Sequence, residues 1–146
     1  MSSELNVVRL PPRGARAATP RDKIRTIPEL AAIAEQQRAL GKVVVHAHGT
    51  FDLLHLGHVR HFEAARRLGD VLIVTLTADG FVNKGPGRPV FTQELRAEML
   101  ATLEYIDWVG INEAADAVPA IELIHPHVYI KARASSNCEC ATSRIQ

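Results

Sequence analysis

Short apolar runs alternate with segments in which apolar residues recur every third or fourth position. Leu30, Ile33, Ala34 and Leu40 form the first helical stripe, preceded by Thr26-Ile27-Pro28-Glu29. That tetrapeptide predicts a capping box: a hydroxyl at the cap, a carboxylate three residues on and a proline in the first turn. Gly41 predicts the stop. Lys42 to His48 (KVVVHAH) reads as a strand buried on both faces. Gly57 to Leu68 reads as a helix with Val59, Phe62, Ala65 and Leu68 inward and Gly69 closing it. Val71 to Thr77 (VLIVTLT) is a second strand, and Ala78 to Phe91 a loop rich in glycine and proline. Thr92 caps a helix to about Glu104, Ile106 to Ile111 is a third strand, Asp116 caps a short helix through Ile124, and Val128 to Lys131 is a fourth strand. Strands alternating with helices predict right-handed crossovers and an α/β fold, a Rossmann-like doubly wound parallel sheet. Ligands bind such sheets at the carboxyl ends of the strands. Attention therefore falls on the residues after His48, Thr77, Ile111 and Ile130.

Composition narrows the classes. The 146 residues suit a single domain, since domains run roughly 100–200 residues. The chain is 47% hydrophobic, 23% charged and 5% aromatic, as globular domains are. Lys and Arg total 17 against 16 Asp and Glu, a formal charge of +1, which argues against a chain-wide footprint for nucleic acid. No run approaches the roughly 18 apolar residues of a membrane span, so no membrane partner is expected. The start lacks the basic-then-apolar pattern of a secretory signal. Cys138 and Cys140 are too few for a disulfide framework. A reducing, cytoplasmic setting is the expectation. Residues 1–24 carry Pro11, Pro12, Gly14, Pro20 and four arginines, and are expected to be a disordered basic arm. Residues 25–131 are expected to form the domain, and 132–146 an irregular tail.

The most informative stretch is Gly49-Thr50-Phe51-Asp52-Leu53-Leu54-His55-Leu56-Gly57-His58. It follows an apolar strand and opens a helix. Gly49 lets a ligand approach the backbone. The helix start offers free N–H groups and the positive end of the dipole, suited to phosphate. Gly57 leaves room between His55 and His58, so two imidazoles can converge on one anion as hydrogen-bond donors. His-x-Gly-His alone is a weak signal; its placement gives it weight.

GTFDLLHLGH resembles the signature of the cytidylyltransferase-like nucleotidyltransferases, with the resemblance running from about Lys42 to Lys131. Thr77-Ala78-Asp79, Lys84 to Pro89, Arg96-Ala97-Glu98, Leu103 to Val109 and His127 to Lys131 look most like the heptose-1-phosphate adenylyltransferase branch. Glycerol-3-phosphate cytidylyltransferases share the first motif but carry arginine where this chain has Glu104. The resemblance implies transfer of a nucleoside monophosphate from ATP or CTP to a phosphorylated sugar or polyol, with pyrophosphate leaving. It implies catalytic roles for His55, His58 and Lys84, nucleotide contacts from Gly49, Thr50, Phe51, Asp52, Gly57, Arg88 and Lys131, and an acceptor contact from Asp79. It also implies Mg²⁺ with the triphosphate, and a homodimer. After Lys131 the family expects glycine and, later, a Ser/Thr-rich closing motif. This chain reads Ala132-Arg133-Ala134 and continues without either, as in a truncated or divergent tail. A catalytically impaired nucleotide-binding module is the reading that departure favours.

Plainer roles compete at several positions. Asp52 either orients a loop or touches ligand. His46 and His48 share a strand face and read as core or rim histidines. His55, His58 and His61 could hold zinc, but no His-Glu-x-x-His arrangement accompanies them. Lys84 and Arg88 could be solvated residues of a mobile turn. Trp108 reads as packing, His125 and His127 as turn residues, and Cys138 and Cys140 as free thiols.

Overall fold

The computed structural model describes residues 19–131 and the strand Thr142–Arg144. Its strands are β1 (Val44–Gly49), β2 (Val71–Thr77), β3 (Trp108–Asn112), β4 (Val128–Lys131) and β5 (Thr142–Arg144). Its α-helices are α1 (Ile27–Ala39), α2 (Leu56–Arg66), α3 (Gln93–Ala101) and α4 (Val118–Ile124). They form one sheet ordered β3-β2-β1-β4-β5. β1 to β4 run parallel, and β5 lies antiparallel on β4. The chain steps outward from β1 to β3, and α4 then carries it back to β4 on the other side of β1. The order therefore reverses between β1 and β4, where a crevice opens at the strand ends in folds of this class.

Alternation along each strand splits the core in two. Val45, Ala47, Leu72, Val74 and Leu76 point to one face and pack with Phe62 and Ala65 of α2 and Ala97, Leu100 and Ala101 of α3. Val44, Val71 and Ile73 point to the other and pack with Leu30 and Ala34 of α1 and Ala120 and Ile124 of α4. Gly110 lets α1 lie close on β3, since a Cβ there would sit 2.5 Å from Leu30 Cδ1. Side chains close the N–H groups at the strand starts. Asp70 accepts from Val43 N at 2.8 Å, His127 Nδ1 from Val44 N at 3.0 Å, and Asp107 from Leu72 N at 2.8 Å.

The structure differs from the sequence reading in several places. Residues 19–24, expected within the arm, include a turn anchored to the domain through Lys23 and Ile24. Pro20–Lys23 is a 3-10 turn, Lys23 Nζ donates to the carbonyls of Leu103 and Ile106, and Ile24 bridges to Val109. Apolar Ile24 seals the open edge of β3, which residue-by-residue polarity did not reveal. Residues 1–18 lie outside the described residues, as do 132–141 with both cysteines. Within the expected irregular tail, Thr142–Arg144 pairs with β4 as a strand. The capping box of α1 is half made. Thr26 accepts from Glu29 N at 3.3 Å, but the Glu29 carboxylate turns to Arg25 at 3.7 Å. Leu40 and Leu68 are exposed rather than inward. α3 ends at Ala101, and β3 begins at Trp108.

Candidate active site

α2 begins at the carboxyl end of β1, and its cap is built from imidazoles. His55 is the N-cap residue, and its Nδ1 accepts from Gly57 N at 3.0 Å. His58 reaches back, its Nδ1 accepting from His55 N at 3.2 Å. A hydroxyl and a carboxylate commonly make this reciprocal pair. Here two rings make it, which explains the spacing of three between them. With Nδ1 of each ring accepting a backbone N–H, the ring proton sits on Nε2. The ring centroids are 4.0 Å apart at 34°. A Cβ on Gly57 would lie 2.7 Å from His55 Cε1, so glycine is what admits the His55 ring.

The loop ahead of α2 is tightly wound. Phe51 and Leu53 have φ of 52° and 63°, in the left-handed region that side chains rarely occupy. The Phe51 side chain is buried against Phe62 and meets His58 edge-on at 5.5 Å. That ring backs His58. Burial, followed by the charges of His55, His61 and Lys84, lowers the His58 imidazole to about 4. His58 is therefore neutral at pH 7, and Lys84 is near enough for its charge to be felt there.

Asp52 orients the loop, one of the two roles the sequence leaves open for it. Its side chain is 1% exposed, and its oxygens accept from Val90 N, Phe91 N and Arg88 Nη1 at 2.9–3.2 Å. Burial would raise its carboxyl, but these donors outweigh that and the net shift is downward. Arg88 is thus tethered at 3.0 Å rather than free, though its side chain stays 37% exposed. Asp79 Oδ1 accepts from Arg96 Nη2 at 2.7 Å, and the Asp79 N–H donates to Gln93 Oε1 at 2.9 Å. Arg96 was missed as a site residue. Its side chain is 0% exposed, and it also donates to Thr50 O, Thr77 O and Phe91 O. Its signal in the sequence is the Arg96-Ala97-Glu98 stretch, which carries part of the family resemblance but by itself assigns the arginine no role.

Toward β4, His46 and His48 are buried and share Thr75, whose Oγ1 lies 2.8 Å from His46 Nε2 and from His48 Nδ1. Thr77 Oγ1 is 3.3 Å from His48 Nε2. Burial lowers His46 to about 3, with His48 adding to it. Burial lowers His48 to about 4, with Asp116 opposing and Lys131 adding. Lys131, exposed at the end of β4, is in register with His48. Gly49 ends β1 beside them.

Among the described residues no group of three His, Cys, Asp or Glu side chains gathers to hold a metal. A cavity of about 480 Å³ opens at the β3 edge between Thr26, Glu29, Gln93, Ile111 and Glu113; no residue of the β1–α2 loop lines it. No helix among the described residues is long and apolar enough to cross a membrane.

Comparison with known proteins accords with this geometry. Bifunctional protein HldE of Aliarcobacter butzleri is 46% identical over 110 residues, 74% of this chain and 23% of that protein. Bifunctional protein HldE of Syntrophotalea carbinolica is 38% identical over 133 residues, 89% of this chain and 27% of its own length. The chain thus spans about a quarter of the length of these relatives. The crystal structure of the lipopolysaccharide core biosynthesis protein from Thermoplasma volcanium superposes with a TM-score of 0.57 at 27% identity, covering 61% of this chain and 73% of that one. The model of the Cytidylyltransferase-like family matches residues 46–138, from β1 through β4. With the paired imidazoles at the reversal of a parallel sheet and these relatives beside it, the chain belongs to the cytidylyltransferase-like family.

Proposed function

We propose that the chain transfers a nucleoside monophosphate from ATP, or CTP, to a sugar phosphate and releases pyrophosphate. The observation that carries this reading is the imidazole pair, two Nε2–H donors held side by side at a helix N-terminus. Similarity to HldE proteins and to the heptose-1-phosphate adenylyltransferase branch supports ATP with a heptose phosphate as the leading pair.

In this reading an anionic oxygen of the sugar phosphate attacks the α-phosphorus. The bond from the α-phosphorus to the oxygen bridging the β-phosphorus breaks, and its electron pair leaves with pyrophosphate. The nucleophile is already ionised, so no side chain has to take a proton from it. The protein positions the reactants and meets the charge that builds on the phosphate oxygens. His55 and His58 donate from Nε2 to those oxygens, and the α2 N-terminus adds its dipole. His58, held neutral at pH 7 by burial, still offers its Nε2–H as a donor. Lys84 supplies positive charge from the loop after β2, and Arg88 does so from its tether on Asp52. Gly49, Thr50 and Phe51 offer backbone to the nucleotide, and Lys131 approaches from the β4 side. Mg²⁺ arrives with the triphosphate as part of the substrate, held by phosphate oxygens and water. Among the described residues, Asp52 and Asp79 already serve Arg88 and Arg96, so the metal would lean on the substrate's own oxygens.

Pyrophosphate release tests the reading, with ATP, CTP, GTP and UTP each set against heptose 1-phosphate, glycerol 3-phosphate and other sugar phosphates. Release from ATP with a sugar phosphate is expected. Release only from CTP with glycerol 3-phosphate would move the chain to the cytidylyl alternative. Nucleotide-dependent thermal stabilisation without turnover would leave it a binding module.

A further inference from the structure

We infer that Arg96 is a positioning residue that holds the loop after β1 and the loop after β2 as one unit. Its kinetic consequence rests on the nucleotidyltransferase reading; its structural consequence rests on geometry alone.

Arg96 uses four of its five N–H donors on separate acceptors. Nε donates to Phe91 O at 3.0 Å, Nη1 to Thr50 O and Thr77 O at 2.8 Å each, and Nη2 to Asp79 Oδ1 at 2.7 Å. These acceptors belong to the loop after β1, the end of β2, and both ends of the loop after β2. Phe91 links this set to a second one. Its carbonyl accepts from Arg96 while its N–H donates to Asp52 Oδ1 at 3.2 Å, and Asp52 also holds Arg88. Arg88, Asp52, Phe91, Arg96 and Thr50 therefore form one connected chain of hydrogen bonds. Thr50 comes just before the segment in which Phe51 and Leu53 take left-handed backbone and turn the chain toward His55. Gripping the Thr50 carbonyl fixes the entry to that turn.

A packing role alone does not account for this residue. Burying a charge is costly unless its donors are satisfied, and an apolar side chain would suit a helix face shared with Ala97 and Leu100. An apolar side chain could not join both loops. Lysine keeps the charge but not the planar fork that reaches several acceptors in fixed directions.

The test compares Arg96→Lys and Asp79→Asn with wild type in two readouts: steady-state kinetics with the active substrate pair, and amide hydrogen exchange. For Arg96→Lys we expect a folded protein with kcat down about tenfold or more, because small displacements at a transfer site are costly. KM for the triphosphate should rise. Exchange at Asp52–His55 and at Val90–Phe91 should accelerate together, while β1 and β2 amides hold. Asp79→Asn should give the same pattern in smaller measure, and it decides the matter if Arg96→Lys does not fold. The inference is overturned if both variants melt earlier yet keep wild-type kcat and KM per folded molecule, or if one loop loosens without the other. If wild type transfers no nucleotide with any pair, the nucleotidyltransferase reading fails, and exchange still decides the coupling.

Discussion

Replacing His58 with alanine removes two things at once: the acceptor for the His55 N–H and the Nε2–H donor. The first resembles loss of a helix cap and should cost about 1 kcal/mol of stability. The second should lower turnover about 100-fold or more, as loss of a transition-state donor does. Urea melts beside pyrophosphate release separate the two; a large stability loss with unchanged turnover would make His58 structural. Gly57→Ala isolates geometry from chemistry. The new Cβ displaces the His55 ring from the Gly57 N–H. Alanine over glycine contributes about 1 kcal/mol to a helix and offsets the lost cap. Stability should therefore stay near wild type while turnover falls about tenfold or more. Both imidazoles were legible in the sequence because a strand, a glycine-bearing loop and a helix start are local patterns. The mutual capping that orients the rings was not read there, because histidine is an uncommon cap residue.

The loop from Ala78 to Phe91 shows how an element acquires its shape from a distant side chain. It contains Gly85 and Gly87 at φ of 93° and 74° and reads from sequence as a loop rich in glycine and proline. Yet its end is pinned by Asp52, which lies 36 to 39 residues away in sequence. Asp52→Ala should free Val90 and Phe91, and their amides should exchange about 10-fold faster or more, given the strength of hydrogen bonds to a charged acceptor. Amides of β1 and β2 should be unchanged. Unaltered exchange at Val90 would show that the prolines and glycines hold the loop without Asp52. α1 makes a parallel point. Its stripe predicted Leu30 and Ala34 inward, and they are, but Leu40 lies past the last turn and is 69% exposed. Periodicity tells which face is apolar, and the length of the partner surface decides how much of that face is covered.

For the molecule as a whole, the buried histidines set an acid limit. His46 and His48 are neutral in the fold, at about 3 and about 4, against 6.5 when unfolded. Between pH 6.5 and 4 the unfolded chain binds protons that the fold does not. The histidines' contribution to stability is therefore fully present above pH 6.5 and is lost as pH falls, each imidazole adding about 1.4 kcal/mol per pH unit to the slope inside that window. Urea midpoints at pH 7, 6 and 5 should fall accordingly, and His46→Leu should flatten the trend; a constant midpoint would contradict it. The alternation of apolar runs was enough to read the α/β class, the four parallel strands and the loop that carries His55 and His58, because each is encoded within a few consecutive residues. The same pattern could not show that Ile24 bridges to an edge strand, that Asp52 holds Arg88, or that Arg96 reaches Thr50, 46 positions back. Those assignments depend on which strand ends and loops meet in space, and polar side chains take their partners only after the sheet has been wound.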